Sequence, residues 1–159
     1  MSDINEIECA LAEIGKNVEQ LKEEKERRSI SYASGNISAN DMKNPELENM
    51  VYPMIDNFLG SCQTTIKAEE LLKNFTILIF VTKLFSSSFV GCAAIHPKKG
   101  KLYTATIYTL EESSIQQKLI TEKILTELEH FATEQQIYLC CRIYHDLSLQ
   151  IVFPIQYTF

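Results

Sequence analysis

The stretch Phe75–Phe85, FTILIFVTKLF, is a nearly continuous run of isoleucine, valine, leucine and phenylalanine. β-Branched and aromatic residues favour strands, and a run of this kind is typical of a central strand covered on both faces. Two more apolar stretches, Ser88–His96 and Leu102–Leu110, follow it and are joined by the sequence PKKGK at residues 97–101. Because proline and glycine suit a hairpin connection, the three stretches predict an antiparallel meander.

Helices are predicted before and after this meander. Upstream, Asn44 and Pro45 have the residue types of a helix cap and a first helical position, and a wide apolar stripe follows them. Downstream, Ser114 and Gln117 have the spacing of a capping box, in which each residue satisfies a backbone N–H of the other. We therefore expect one helix on each side of the meander in the chain.

The last two apolar stretches, Ile137–Tyr144 and Leu149–Phe159, predict a closing hairpin. Pro154 cannot donate a ladder hydrogen bond, which places the second strand at the sheet edge, and Gln150 and Val152 are candidate partner-binding residues there. The predicted fold class is therefore α+β. It consists of an N-terminal helical arm and a largely antiparallel five-stranded sheet with helices packed on one face, in the order α-α-βββ-α-ββ.

The N-terminal segment carries a heptad pattern of apolar residues. They recur with gaps of three and four, as at the a and d positions of a coiled coil, at Ile4, Ile7, Leu11, Ile14, Val18 and Leu21. Since so narrow a seam suits a partner helix, we predict a helical arm over residues 1–28 that binds a protein partner or a second copy. One amphipathic helix folded onto its own domain is the alternative. Residues 29–44, rich in serine and asparagine, predict a linker, and residues 45–159 predict the α+β domain.

Length and charge restrict the class of protein. The 159 residues include 15 Lys and Arg against 21 Asp and Glu, a formal net charge of −6 that disfavours binding to nucleic acid. The N-terminus lacks a secretory signal, and no apolar stretch approaches the roughly 20 residues of a membrane-spanning helix. The five cysteines lack C-x-x-C spacing, so we expect reduced thiols. These features predict a cytoplasmic or nuclear protein without membrane contact.

Catalytic and metal-binding motifs are absent from the sequence. His96, His130 and His145 have no metal-ligand spacing, and there is no P-loop, G-x-G-x-x-G or G-x-S-x-G motif. We therefore predict no catalytic, cofactor-binding or metal-binding residues and no small-molecule ligand. A second candidate partner-binding site is the concentrated cationic turn of the predicted domain, formed by Lys98, Lys99 and Lys101.

Residues 75–144 resemble the middle of the GNAT acetyltransferase family. The likeness is carried by Phe89–Ala94, FVGCAA, by the strand after it, and by the long helix that precedes Ile137–Leu139. In that family the turn from strand to helix has an Arg/Gln-x-x-Gly-x-Gly/Ala signature, whose backbone amides bind the coenzyme A pyrophosphate. Here Ser113–Leu119 stands at that place without glycine, so the resemblance implies the strand–helix–strand arrangement and transfers no cofactor-binding residue.

The association-type heptad, beside the absence of catalytic motifs, favours a noncatalytic interaction subunit or adaptor of an intracellular multiprotein assembly. The arm would bind one partner and the α+β body would dock another, an architecture similar to that of small kinetochore subunits. One alternative is a GNAT-like acyltransferase, active or degenerate. The other is a small acidic chaperone for a secreted or assembling protein. Binding of coenzyme A would distinguish the acyltransferase from the interaction subunit.

Overall fold

The computed structural model of the chain describes residues 32–110, 113–144 and 146–154. The strands are β1 Tyr32–Ser38, β2 Ile77–Lys83, β3 Phe89–Lys99, β4 Leu102–Thr109, β5 Tyr138–Ile143 and β6 Asp146–Phe153. The α-helices are α1 Pro45–Ser61, α2 Ala68–Leu71 and α3 Ser114–Gln135, and a short 3-10 helix, Asp41–Lys43, precedes α1. None of the helices in these ranges is both long and apolar enough to cross a bilayer.

The six strands form one mixed sheet in the order β1-β2-β3-β4-β5-β6, so that neighbours in the chain are neighbours in the sheet. Four of the strand pairs are antiparallel. The pair β4–β5 is parallel, with Leu102 opposite Tyr138 and Ile107 opposite Ile143. Because parallel neighbours need a crossover connection, α3 returns the chain from the end of β4 to the start of β5.

Each face of the sheet packs against helices. On one face α3 packs an apolar stripe against alternate residues of the strands. The helix residues of this core are Ile120, Ile124 and Leu128, and its strand residues include Ile79, Val81, Ala93, Ile95, Ile107 and Leu139. On the other face α1 and α2 pack on the intervening residues, in a core that includes Val51, Ile55, Leu59, Leu71, Leu78, Cys92, Ala94 and Tyr108. Side chains alternate between the faces of a strand, which is why the central strands read as continuous apolar runs.

The predicted placement of the helices on one face is wrong. The crossover helix α3 lies on one face, whereas α1 and α2, which precede the meander, lie on the other. Apolar stripes on the helices do not distinguish these arrangements, because either face of a fully buried strand offers an apolar surface. The choice depends on pairing between distant strands.

The predicted count of five strands is also wrong, because β1 adds a sixth. It lies within residues 29–44, where the sequence predicts a linker, and its residues YASGNIS are only half-buried at the edge of the sheet. Glycine suits position 35 of this strand because a Cβ atom there would lie 2.6 Å from Cζ of Phe80. The arm predicted over residues 1–28 falls outside the described residues, so the division into arm, linker and domain stays a prediction.

The caps of two helices show which features of a helix start the residue spacing predicts. Asn44 caps α1, and its side chain accepts the backbone N–H of Glu46 at 3.0 Å. The capping box of α3 is formed by Ser113 and Gln116, one residue before the predicted pair. The sequence SSIQQ contains the S-x-x-Q spacing twice, so spacing alone does not choose between the two registers.

Candidate functional site

Alternate residues of β4 place a row of hydroxyl groups on the face of the sheet that α1 and α2 cover. Ala105 and Ile107 point into the core beneath α3. Thr104, Thr106 and Tyr108 therefore point to the opposite face, because successive side chains of a strand alternate. The hydroxyls of the two threonines must hydrogen-bond to solvent or to another polar group, because burying a hydroxyl without a hydrogen bond costs free energy.

His96 lies beside this row. It is opposite Thr104 in the β3–β4 ladder, and its Nε2 atom is 2.7 Å from the carbonyl oxygen of Leu71, the last residue of α2. Nε2–H therefore donates to this carbonyl, which holds the ring in place. In the neutral ring Nδ1 is then an acceptor, and it has no partner among the described residues.

Together these residues line a cavity of about 220 Å³ between α2 and the sheet. Its walls are formed by Ile66, Glu70, Leu71, Ala94, His96, Thr104, Ala105, Thr106 and Tyr108. We call it the His96 cavity. Within the described part of the chain, no hydrogen bond satisfies the side-chain oxygens of the two threonines, the tyrosine or the glutamate. A cavity of this kind is the usual form of a small-molecule site, in which a few polar groups converge between apolar walls.

Tyr108 is the most deeply buried of these polar groups. Burial, followed by the nearby thiol of Cys92, raises the pKa of Tyr108 to about 12. The hydroxyl therefore keeps its proton throughout the physiological pH range and can act as a hydrogen-bond donor. Its ring lies 5.0 Å from the ring of Tyr144, which follows β5.

The same face of the sheet is open beyond the cavity. In the ladder Thr106 is in register with Arg142 of β5, and Arg142 is in register with Gln150 of β6. The next row joins Thr104 with Cys140 and Val152. Arg142, Gln150 and Val152 are exposed, because α1 and α2 lie over β2, β3 and β4. The predicted partner-binding residues Gln150 and Val152 thus lie on an exposed surface that continues from the His96 cavity.

The carboxyl end of β4 meets the start of α3 in a second polar region. Ser113 Oγ accepts the backbone N–H of Gln116 at 3.2 Å, and Gln116 Oε1 accepts the N–H of Ser113 at 3.4 Å. Thr109 is buried between two side chains. Its hydroxyl accepts from Gln117 Nε2 at 3.2 Å, and its carbonyl oxygen accepts from the Cys62 thiol at 3.4 Å.

The other predicted site residues are dispersed. Lys98, Lys99 and Lys101 lie at the turn from β3 to β4, and the length of β4 puts about 25 Å between this turn and the start of α3. His130 is exposed on α3, with Nε2 3.0 Å from Oε1 of Glu134. The heptad residues and His145 lie outside the described residues. No three His, Cys, Asp or Glu side chains of the described ranges come together in a metal-binding group.

Sequence reasoning did not identify the residues of the His96 cavity. A single histidine at the end of a strand is most often solvated or locally bonded, and threonine is common in strands. The available signal was the alternation of Thr104 and Thr106 with the apolar Ala105 and Ile107 in a strand flanked by buried neighbours. That signal becomes specific only when α2 is known to lie above it.

No protein-family model and no curated protein matches the chain. Several solved structures resemble it. A probable acetyltransferase is 12% identical over 70% of this chain and 77% of its own, with a TM-score of 0.46. A GNAT-family acetyltransferase from Staphylococcus aureus Mu50 is 11% identical over 69% and 73%, with a TM-score of 0.46. An aminoglycoside acetyltransferase from an uncultured soil metagenomic sample, in complex with trehalose, is 16% identical over 80% and 96%, with a TM-score of 0.46.

These comparisons contradict the prediction of a noncatalytic adaptor. Two of the similar structures are acetyltransferases and the third is a probable acetyltransferase. The metagenomic enzyme is in complex with trehalose in one structure and with sisomicin in another, in contrast to the prediction that this chain binds no small molecule. The predictions of an interaction subunit and of kinetochore-like architecture are therefore wrong. A protein partner stays a prediction.

Proposed function

We propose that the protein is a degenerate GNAT-like acyltransferase, which retains a binding site for a small polar molecule and has lost the site for acyl-coenzyme A. The observation that carries the proposal is the His96 cavity, which is lined by the polar residues Glu70, His96, Thr104, Thr106 and Tyr108. Among the described residues, only His96 of these five has a side-chain hydrogen-bond partner. The hydroxyl and carboxylate groups of this lining are available to hydrogen-bond with a bound polar molecule. The proposal agrees with the resemblance to the GNAT family over residues 75–144.

The topology supports the acyltransferase ancestry. The meander β2-β3-β4, the helix α3 and the parallel strand β5 follow the strand–helix–strand arrangement that the resemblance implies. In open sheets with parallel strands, ligands bind in the crevice beyond the carboxyl ends of those strands. Here that crevice would lie after Thr109 and Ile143, next to the start of α3.

The start of α3 does not fit the pyrophosphate of coenzyme A. A helix start binds phosphate through backbone N–H groups that have no partner within the helix. In α3 the N–H of Gln116 donates to Ser113 and the N–H of Ser113 donates to Gln116, so the capping box uses two of these donors. Glu111 and Glu112 immediately precede Ser113 in the sequence, and their negative charges oppose a phosphate ligand.

The crevice between β4 and β5 is also closed. The N–H of Tyr144 donates to the carbonyl oxygen of Ile107 at 2.9 Å, so the two strands stay bonded to the end of β5. Beyond this bond the rings of Tyr108 and Tyr144 are in contact. An elongated thioester would have to break these interactions to reach the sheet. We therefore derive no acyl-transfer step for this chain.

Titration calorimetry of the full chain with acetyl-coenzyme A tests the loss of the donor site. We expect no saturable binding, because the helix start and the crevice are both occupied by the protein's own groups. Saturable binding of one acetyl-coenzyme A per chain would show that the donor site is functional and would overturn the degenerate assignment.

A thermal-shift screen tests the retained cavity. The probes are sugars, polyols, amines, carboxylates and amino acids, and we expect at least one class to raise the melting temperature. Thr106→Val should weaken binding of that compound, because it removes a cavity hydroxyl at nearly constant volume. Thr82→Val is the matched control, since Thr82 lies on β2 outside the cavity. Equal binding by the two variants would place the compound elsewhere.

A further inference from the structure

The His96 cavity has one charged wall. Glu70 is the one carboxylate side chain among its described lining residues, and it is exposed on α2. Its carboxylate makes no ion pair with any described residue. A carboxylate in the lining of a polar cavity favours a ligand with a positive group and disfavours a simple anion.

A cationic residue, Arg142, lies on β5, the strand next to Thr104 and Thr106 of β4. Arg142 is the register partner of Thr106, and adjacent strands are about 4.8 Å apart. Its side chain shares the face of Thr106, because its neighbour Cys141 is buried beneath α3. Arg142 is exposed and has no ion-pair partner within the described ranges. The guanidinium group is the side chain best suited to bind a carboxylate through two parallel hydrogen bonds.

Neutral hydrogen-bonding groups of β3 and β4 accompany the two charges. They are the hydroxyls of Thr104 and Thr106 and the Nδ1 acceptor of His96. The elements around the cavity thus supply a carboxylate from α2, neutral donors and acceptors from β3 and β4, and a guanidinium from β5. A ligand that matches these groups carries an ammonium group and a carboxylate on one small framework.

We propose that the His96 cavity and the adjoining Arg142 bind a small zwitterion of the free amino acid class, with its ammonium toward Glu70 and its carboxylate toward Arg142. The proposal rests on the proposed function, since it names the ligand of the same cavity. A polyol would leave both charges without a partner, an amine would leave Arg142 unmatched, and a carboxylate would leave Glu70 unmatched. The volume of about 220 Å³ is below that of pockets for drug-sized ligands and favours a small molecule.

The test compares each standard amino acid with analogues that lack one charge. For alanine these are L-lactate, in which a hydroxyl replaces the ammonium, and L-alaninol, in which a hydroxymethyl group replaces the carboxylate. Thermal shift with the full chain finds the amino acid that binds, and calorimetry measures its dissociation constant. We expect each analogue of that amino acid to bind about tenfold more weakly or worse, because each loses one charge-assisted contact.

Charge-removing variants then assign the two ends. Glu70→Gln should weaken the amino acid about tenfold while leaving the analogue without an ammonium unaffected, and Arg142→Gln should spare the analogue without a carboxylate. Glu69→Gln and Lys98→Gln are the matched controls, because both residues are exposed and neither lines the cavity.

The outcomes separate this inference from the function it rests on. If a polyol, amine or carboxylate binds in a Thr106-dependent way and no amino acid does, the zwitterion proposal is wrong and the small-molecule function stands. If an amino acid binds as tightly to both variants as to the unaltered chain, the assigned contacts are wrong. If none of the probes binds, both proposals fail.

Discussion

At the scale of single residues, Gly91 shows how closely α3 approaches the sheet. A Cβ atom at this position would lie 2.6 Å from Cγ2 of Ile120 and 2.8 Å from Cδ1 of Ile124, and both isoleucines are fully buried. Neither can move away without disturbing a packed core. Glycine is therefore required at position 91 for the close contact of strand and helix, and no special backbone conformation is involved.

Gly91→Ala should consequently destabilise the protein by about 1–3 kcal/mol, the usual cost of overpacking a core. Gly60→Ala is the control, since no atom lies within 4 Å of the added Cβ. Gly60 is near the end of α1, where alanine should be neutral or stabilising by up to about 1 kcal/mol. Urea denaturation measures both variants. Equal stability of the two would mean that α3 does not pack on β3 as closely as described.

At the scale of elements, the start of α3 depends on a reciprocal pair of side-chain hydrogen bonds. Ser113→Ala removes the acceptor for the Gln116 N–H and should cost about 1 kcal/mol of stability. Ser114→Ala is the matched control, because the adjacent serine is exposed and makes no side-chain hydrogen bond with the described residues. The free energy of unfolding of both variants, measured by urea denaturation, tests this prediction. A larger loss in Ser114→Ala would shift the cap to the second S-x-x-Q register.

At the scale of the whole molecule, the two cores predict a gradient of stability across the sheet. β3 is buried on both faces from Phe89 to Ile95, whereas β1 and β6 are edge strands. Amides of β3 should therefore exchange only on global unfolding, and those of β1 and β6 by local opening. Hydrogen-exchange mass spectrometry measures this difference. Exchange in β6 as slow as in β3 would show that its outer edge is covered, as the predicted partner contact at Gln150 and Val152 requires.

The segments that form the central strands, and the residue at which α1 begins, follow from the sequence. The apolar run of Phe75–Phe85 and the cap at Asn44 are local signals, since β-propensity and capping depend on residues close in the chain. They identify elements and leave open how those elements are arranged. The polar strand β1 was missed because an edge strand needs no apolar run.

The distribution of helices over both faces, the parallel pairing of β4 with β5, and the site do not follow from the sequence and are set by the tertiary structure. Each depends on contacts between residues far apart in the chain. His96 meets α2 through the carbonyl oxygen of Leu71, and Thr106 meets Arg142 across a crossover of more than thirty residues. Residue spacing cannot predict such a juxtaposition, because pairing of distant strands sets it. The resemblance to an acyltransferase is visible in the sequence because it rests on consecutive segments of the chain. The cavity is not, because residues from distant segments form it.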